Sequence, residues 1–415
     1  MKPIPYGKQH IGKDDIKDVI GVLRSDWMTQ GPKVGEFEEA LARYCGAKYA
    51  VVVSSGTAAL HIASLAAGLR KGNEVITTPI TFLATPNSVL YAGAKPVFAD
   101  IDYETVNLNP KSVEKKMNKK TKAIMPVHFA GLPCGMPEIH KIAKKHDLTV
   151  IEDACHALGA EYKHNGKWIK VGSCRHSDMT VFSFHPVKHI TTGEGGAVTT
   201  NSKRLYEKLL ALRSHGTYKT PDMEKEKGPW YYEMRDLGFN YRITDMQCAL
   251  GKRQLKKINS FLAKRRHIAS AYNRYFQDLE DVIKLPGTFK DSKRHAWHLF
   301  VLRLKLENLS KDRKYIFNRL RNEGIGVQVH YIPVYRQPYY SKLKKWHANA
   351  PSRKRANSGK LKKSFSEYPG AEKYYKECLS IPIYPGLDDK KVKKVADTIK
   401  KCVLSFKKQR KSGKT

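Results

Sequence analysis

The chain has 415 residues, 41% hydrophobic and 28% charged, a composition that excludes a wholly disordered chain or a disulfide-stapled miniature and allows a sizeable core. Lys and Arg number 76 against 39 Asp and Glu, a formal net charge of +37, which leaves open a nucleic-acid or anionic-membrane partner as well as small anionic substrates. No apolar run reaches the roughly 20 residues of a membrane span, the opening MKPIPYGKQH has no signal-peptide pattern, and seven scattered cysteines without a C-x-x-C pair suit reduced thiols, so a cytoplasmic protein without bound metal is expected.

After an irregular opening, an amphipathic stretch from Asp14 to Arg24 and another from Val34 to Cys45, stopped by Gly46, predict two helices. Short apolar runs then recur at 49–53, 74–78, 96–100, 123–127, 149–152, 180–184 and 196–200, with helical patterns at 58–67, 84–91 and 136–145 between them. Strands alternating with helices predict an α/β fold: a mostly parallel, seven-stranded sheet sandwiched by helices. A helix near 245–258 follows, and beyond it the rhythm changes. A strand at 298–304, a helix at 311–322 and a strand at 326–331 predict a smaller α+β unit. The expected domains are 1–260 and 261–406, the opening residues packing on the second, with a basic surface loop at 342–365 and a flexible tail at 407–415. Much of the excess charge falls as single Lys residues on polar helix faces, which favours a solvated surface over a nucleic-acid groove.

Ligands of parallel sheets sit outside the carboxyl ends of the strands, so the residues that follow each strand carry the functional question. Ser54-Ser55-Gly56-Thr57 opens a helix where free amides and the helix dipole suit a phosphate, although a Ser before a helix is ordinarily a cap. Ile151-Glu152-Asp153-Ala154-Cys155-His156 ends a strand in acids; Asp153 either pairs with a protonated ring nitrogen of a cofactor or caps the next turn. Phe182-Ser183-Phe184-His185-Pro186-Val187-Lys188 puts a lysine just past a buried strand, ahead of Gly193-Glu194-Gly195-Gly196, where a lowered pKa would suit it to a Schiff base. Each feature alone has an ordinary structural reading. Their order along one sheet edge raises the chemical one.

These words resemble the DegT/DnrJ/EryC1/StrS sugar aminotransferases, a branch of the fold-type I pyridoxal-phosphate enzymes. The likeness also runs through Ile4-Pro5-Tyr6-Gly7, Thr29-Gln30-Gly31-Pro32, Thr81-Phe82-Leu83-Ala84-Thr85, Gly238-Phe239-Asn240-Tyr241-Arg242 and Val329-His330-Tyr331-Ile332-Pro333-Val334-Tyr335. The resemblance implies pyridoxal 5'-phosphate as cofactor, with Lys188 as its tether and as the base that moves the proton. It implies that Asp153 holds the pyridinium nitrogen, His156 lies by the phenolic oxygen, Phe82 stacks on the ring, and Gly56, Thr57 and Ser183 hold the phosphate. Asn240 would reach the phosphate of a neighbouring subunit, which implies a homodimer with shared active sites. Arg242, His330 and Tyr331 would face the substrates.

Within the family, His185–Thr192 and Pro229–Met234 are most similar to the branch that makes UDP-4-amino-4,6-dideoxy-N-acetyl-β-L-altrosamine for pseudaminic acid. That likeness implies transfer of the amino group of L-glutamate to C4 of a UDP-linked 4-keto-6-deoxy-N-acetylhexosamine. Another nucleotide-linked 4-keto-6-deoxysugar, of perosamine or bacillosamine type, is the neighbouring alternative. The family's dehydratases carry histidine in place of the lysine, so Lys188 argues against that chemistry. The alternative from a different class, a basic nucleic-acid-binding protein, lacks zinc spacing, a helix-turn-helix pattern or an RNP-like aromatic run.

Overall fold

The computed structural model describes residues 3–287, 289, 291–342 and 367–408. Two helices, α1 (Lys13–Leu23) and α2 (Pro32–Cys45), precede the sheet, and α2 stops where Gly46 takes the left-handed conformation at φ 77°. The strands are β1 (Tyr49–Val53), β2 (Glu74–Thr77), β3 (Lys95–Phe98), β4 (Thr121–Met125), β5 (Thr149–Asp153), the hairpin β6 (Glu161–His164) and β7 (Lys167–Lys170), then β8 (Met179–Ser183) and β9 (Gly196–Thr200). Between them lie α3 (Gly56–Ala66), α4 (Ala84–Tyr91), α5 (Pro110–Lys116) and α6 (Met136–Lys145). Seven strands form one sheet in the order β1-β9-β8-β5-β4-β2-β3. Its ladders are parallel except at β9, which runs antiparallel to both β1 and β8.

The strands are short and apolar because both faces are covered: Val51, Val52, Ile76, Ile124, Ile151 and Val181 are all buried. One core forms on the side of α2 and α6, around Phe37, Leu41, Ile139 and Phe184. The other lies under α3 and α7 (Lys203–Arg213), around Leu60, Ile62, Leu209 and Leu212. With helices on both faces, the strand-to-helix turns after β1, β5 and β8 gather at one edge.

The chain continues through the two-residue strand β10 (Thr217–Tyr218), α8 (Pro221–Lys227), β11 (Glu233–Met234), α9 (Asp245–Lys256) and the long α10 (Ile258–Phe276). Then follow β12 (Ile283–Lys284), β13 (Lys293–Arg294), β14 (Phe300–Leu304), α11 (Arg313–Asn322), α12 (Pro338–Lys342), α13 (Pro369–Glu377), β15 (Cys378–Ile381) and α14 (Asp389–Ser405). Strands β12, β14 and β15 form an antiparallel sheet over a separate core of Ile4, Tyr272, Phe276, Phe300, Leu320 and Val395. Strand β13 joins the β6–β7 hairpin instead, and so stitches the later part of the chain to the earlier one.

One expectation is corrected. The segment 326–331 is not a strand: Ile325 bridges Ile4 while Gln328 bridges Ser380, so successive residues turn to different partners and no ladder propagates. Gly326 is pressed so close to the opening segment that a Cβ there would lie 2.7 Å from the Ile4 oxygen. The helix expected near 245–258 ends at Lys256, and α10 then runs 19 residues beyond it. The basic segment expected as a loop at 342–365 lies, apart from Lys342, outside the described residues, as does the tail beyond Lys408. Among the described residues no helix is long and apolar enough to cross a membrane, no cluster of three metal-ligating side chains occurs, and all seven cysteines are unpaired.

Candidate active site

At the carboxyl edge of the sheet a cavity of about 430 Å³ opens between the turns after β1, β5 and β8 and the segment that carries His330 and Tyr331. Its floor begins at α3. Ser55 caps this helix by accepting from the Ala58 amide at 3.0 Å, and the amides of Gly56 and Thr57, in the first turn, have no carbonyl within the helix to bond. A Cβ on Gly56 would lie 2.8 Å from the Ser183 Cβ, so glycine is what lets the end of β8 close against the helix start. Two amides, a hydroxyl and the helix dipole thus converge, as an anion requires.

Asp153, buried at the end of β5, is held on both oxygens: Thr85 donates to Oδ2 at 2.6 Å and the Cys155 amide to Oδ1 at 3.1 Å. Thr85 is itself paired with Thr81 at 2.7 Å. Lys188 opens on the cavity but is surrounded by protein; burial pushes its ammonium below the ordinary lysine value, partly opposed by Cys155 and the Asp153 carboxylate. A lowered lysine pKa makes the neutral amine, the nucleophile and base, easier to reach.

His156 lies in the same wall with its ring 4.3 Å from that of His298, and its Nε2 is 3.3 Å from the Tyr331 hydroxyl. Burial, with Lys188, His330 and His189 around it, holds its pKa well below the usual histidine value, so the ring is neutral. Its Nδ1 is buried without a hydrogen-bond partner among the described residues. His330, pushed down to about 3 by burial and by Lys188, is also neutral; its Nδ1 lies 2.9 Å from the Ser380 hydroxyl. Burial drives the Tyr331 phenol in the other direction, upward, so it keeps its proton. Phe82, by contrast, leaves 58% of its surface open, its ring 6.2 Å from that of Tyr331. An exposed phenyl beside an anion cradle, a buried acid and a buried lysine leaves a flat space for an aromatic ring.

The cavity therefore brings together Gly56, Thr57, Phe82, Asp153, His156, Ser183, Lys188, His330 and Tyr331. Asn240 and Arg242 do not line it. They sit on the segment whose Tyr241 carbonyl accepts from the Ser54 amide at 2.8 Å, and Asn240 is exposed. Sequence reasoning passed over two residues that act on the site's shape. Thr85 was legible as the second hydroxyl of a Thr81–Thr85 pair one helical turn apart, but nothing local ties it to Asp153, 68 residues away. His298, which packs on His156, comes from a segment 142 residues further on and gives no local signal.

A model of the DegT/DnrJ/EryC1/StrS aminotransferase family matches residues 9–400. The chain belongs to this family. It is 41% identical over 401 residues to the UDP-4-amino-4,6-dideoxy-N-acetyl-beta-L-altrosamine transaminase of Campylobacter jejuni, covering 95% of this chain and 96% of that one. It is 39% identical over 402 residues to the spore coat polysaccharide biosynthesis protein SpsC of Bacillus subtilis, covering 96% and 97%. Among solved structures it superposes on Helicobacter pylori PseC, an aminotransferase involved in the biosynthesis of pseudoaminic acid, with a TM-score of 0.85, 34% identity and coverage of 98% and 100%. Like the DegT/DnrJ/EryC1/StrS enzymes, this protein is a pyridoxal-phosphate-dependent aminotransferase with the fold-type I architecture. The residues present fit that cofactor: the Gly56–Ser183 approach sets the start of α3 against the Ser183 hydroxyl, as a phosphate requires, and the orphaned Nδ1 of His156 offers a further polar atom in the cavity wall.

Proposed function

We propose that the enzyme moves the amino group of L-glutamate to C4 of a UDP-linked 4-keto-6-deoxy-N-acetylhexosamine, giving UDP-4-amino-4,6-dideoxy-N-acetyl-β-L-altrosamine for pseudaminic acid. The carrying observation is the 41% identity, over 95% of the chain, to the Campylobacter transaminase of that name. The cavity supports the reaction class, because it sets a buried lysine of lowered pKa with a buried acid and an anion cradle.

Bound pyridoxal phosphate supplies an electron sink for the pair left when a proton leaves the amine-bearing carbon. Gly56, Thr57 and Ser183 would hold its phosphate, Asp153 its ring nitrogen, and Phe82 the face of its ring, with His156 on the phenolic side. Lys188 is the group that carries the proton, taking it from Cα of the amino donor and, in the second half-reaction, delivering one to C4 of the sugar. Burial lowers its pKa from the ordinary lysine value, partly opposed by Cys155 and Asp153. Thr85 holds Asp153 in place, so the carboxylate is oriented before any ligand arrives. His330 and Tyr331, which line the same cavity as Lys188, would contact the sugar side.

Asn240 and Arg242 lie outside this chain's own cavity, and we assign them to the cavity of a second copy in a homodimer. The exposed apolar side chains of Trp230, Tyr232, Met234 and Leu237, close by in sequence, support a covered surface there. The seven unpaired cysteines suit a reducing compartment such as the cytoplasm.

The test is a reaction followed by NMR, with L-glutamate and two UDP-linked 4-keto-6-deoxy-N-acetylhexosamines epimeric at C5. Preference for the L-arabino epimer supports the proposal; preference for the D-xylo epimer moves the enzyme to a bacillosamine-type product. That second sugar is the neighbouring alternative because sequence words do not read sugar stereochemistry.

A further inference from the structure

One residue along from His298, Trp297 lines a second cleft of about 550 Å³ that shares no residue with the active cavity. One wall is a face of α10, where Asn259, Leu262, Arg266, Ala269 and Asn273 recur at helical spacing; the other walls are Lys170 on β7 and Lys293 and Arg294 on β13. Four cations thus meet one carboxylate, that of Glu161. Arg294 takes that carboxylate, its Nη1 donating at 2.6 Å. The remaining three form no ion pair among the described residues. Lys170 donates to the Tyr44 carbonyl and lies over the Tyr44 ring, Lys293 donates to the Pro133 carbonyl, and Arg266 makes no hydrogen bond among the described residues.

Isolated surface lysines are common in so basic a chain. This cleft differs because its cations come from three elements that face one another, and because the Oδ1 of Asn273 is buried in its wall without a partner. Turned about its Cβ–Cγ bond, that amide offers two N–H donors to the same space. Burial also works against the charge of Lys293, a cost that an anion in the cleft would offset.

We propose that this cleft is an anion site for a phosphate-bearing small molecule, held between Arg266 and Asn273 on α10 and Lys170 and Lys293 opposite. Guanidinium and amide give directed contacts to phosphate oxygens, and the two ammonium groups supply charge. The volume suits a ligand of nucleotide size, in the range of ordinary small-molecule sites. An occupant would tie α10 to β7 and β13 and so stabilise the fold.

The test is calorimetric titration of the cofactor-loaded enzyme with inorganic pyrophosphate and with ADP at physiological salt. Saturable binding at one site per chain is expected, with a matching rise in melting temperature. Arg266→Ala and Asn273→Ala should each weaken it at least tenfold while transaminase turnover stays near wild type. Lys401→Ala, which removes the same charge from an exposed position on α14, should leave it unchanged. Tighter binding of ADP assigns the phosphate to a nucleotide, and equal or tighter binding of pyrophosphate assigns it to a free diphosphate. Absence of saturable binding, binding indifferent to Arg266→Ala, or an equal loss with Lys401→Ala overturns the site.

Discussion

Strand β5 ends in two consecutive acids whose side chains leave opposite faces of the sheet, and the two sides use their carboxylate differently. Glu152 is enclosed among His128, Ser177 and Thr180, with the His128 Nε2 at 2.6 Å and the Thr180 hydroxyl at 2.9 Å. Because the His128 Nδ1 accepts from the Cys134 amide at 3.0 Å, the ring's proton sits on Nε2 and is donated to Glu152. Asp153 has its donors too, from Thr85 and the Cys155 amide, yet it lines a cavity. The same carboxylate chemistry is thus spent on holding strands together on one face and kept open to a ligand on the other. Substitutions on the two faces should separate activity from stability.

The largest effect belongs to the cavity face. Lys188→Ala should abolish covalent attachment of the cofactor and lower turnover by about 10⁴-fold, the upper range for a lost proton-transfer group. Borohydride reduction followed by intact-mass measurement reads the attachment directly; a cofactor-sized mass increase that survives in Lys188→Ala would falsify the assignment. Asp153→Asn, which keeps shape and removes charge, should lower kcat by about 10²–10³-fold, as loss of an oriented electrostatic partner does elsewhere. Its melting temperature should change little. A large fall in melting temperature with activity retained would put Asp153 in the same structural class as Glu152.

Glu152→Gln tests the other face. Losing a charge-assisted set of bonds in a buried site should cost about 1.5–3 kcal/mol in stability, with kcat of the folded enzyme within a few-fold of wild type. The effect has a sign in pH. Burial raises the Glu152 pKa, but His128, Ser177 and Thr180 outweigh it and hold the carboxyl below its ordinary 4.5. The stabilisation is therefore fully present above pH 4.5 and is lost as pH falls through the lowered folded value. The gap in denaturant midpoint between wild type and Glu152→Gln should close as pH falls below 4.5. A gap that widens below pH 4.5 would contradict the assignment.

The sequence made the cavity face legible because its chemistry sits in short words at strand ends: Ser55-Gly56-Thr57 after β1, Asp153 through His156 after β5, and Ser183 through Lys188 after β8. Alternating strands and helices fix where those words meet. What stayed hidden was non-local. The segment 326–331 has a strand's composition, but its partners Ile4 and Ser380 lie far off in opposite directions along the chain. One miss was local and avoidable: Asn165-Gly166, with φ of 48° and 76°, turns β6 into β7, and Asn-Gly between alternating residues is the strongest short-range hairpin signal. Asn240 and Arg242 had a clear word but do not line this chain's own cavity, since one chain holds only half of a shared site on the reading proposed above.

Thr85→Val gives the finest distinction between the two faces. Valine keeps the buried volume of Thr85 but cannot donate to Asp153 Oδ2, so the carboxylate loses the hydroxyl and keeps only the Cys155 amide. A net hydrogen bond of about 1 kcal/mol corresponds to about a fivefold change in rate if it is expressed wholly in the orientation of Asp153. Stability should move by a similarly small amount, because Thr81 loses its Thr85 partner in the same substitution. A structural role alone would shift the melting temperature and leave kinetics untouched. A positioning role lowers kcat with KM for glutamate unchanged, and Thr85→Ser, which restores the hydroxyl, should recover most of it. Failure of Thr85→Ser to recover kcat while Thr85→Val lowers it would mean that the methyl group's packing, not the hydrogen bond, sets the carboxylate.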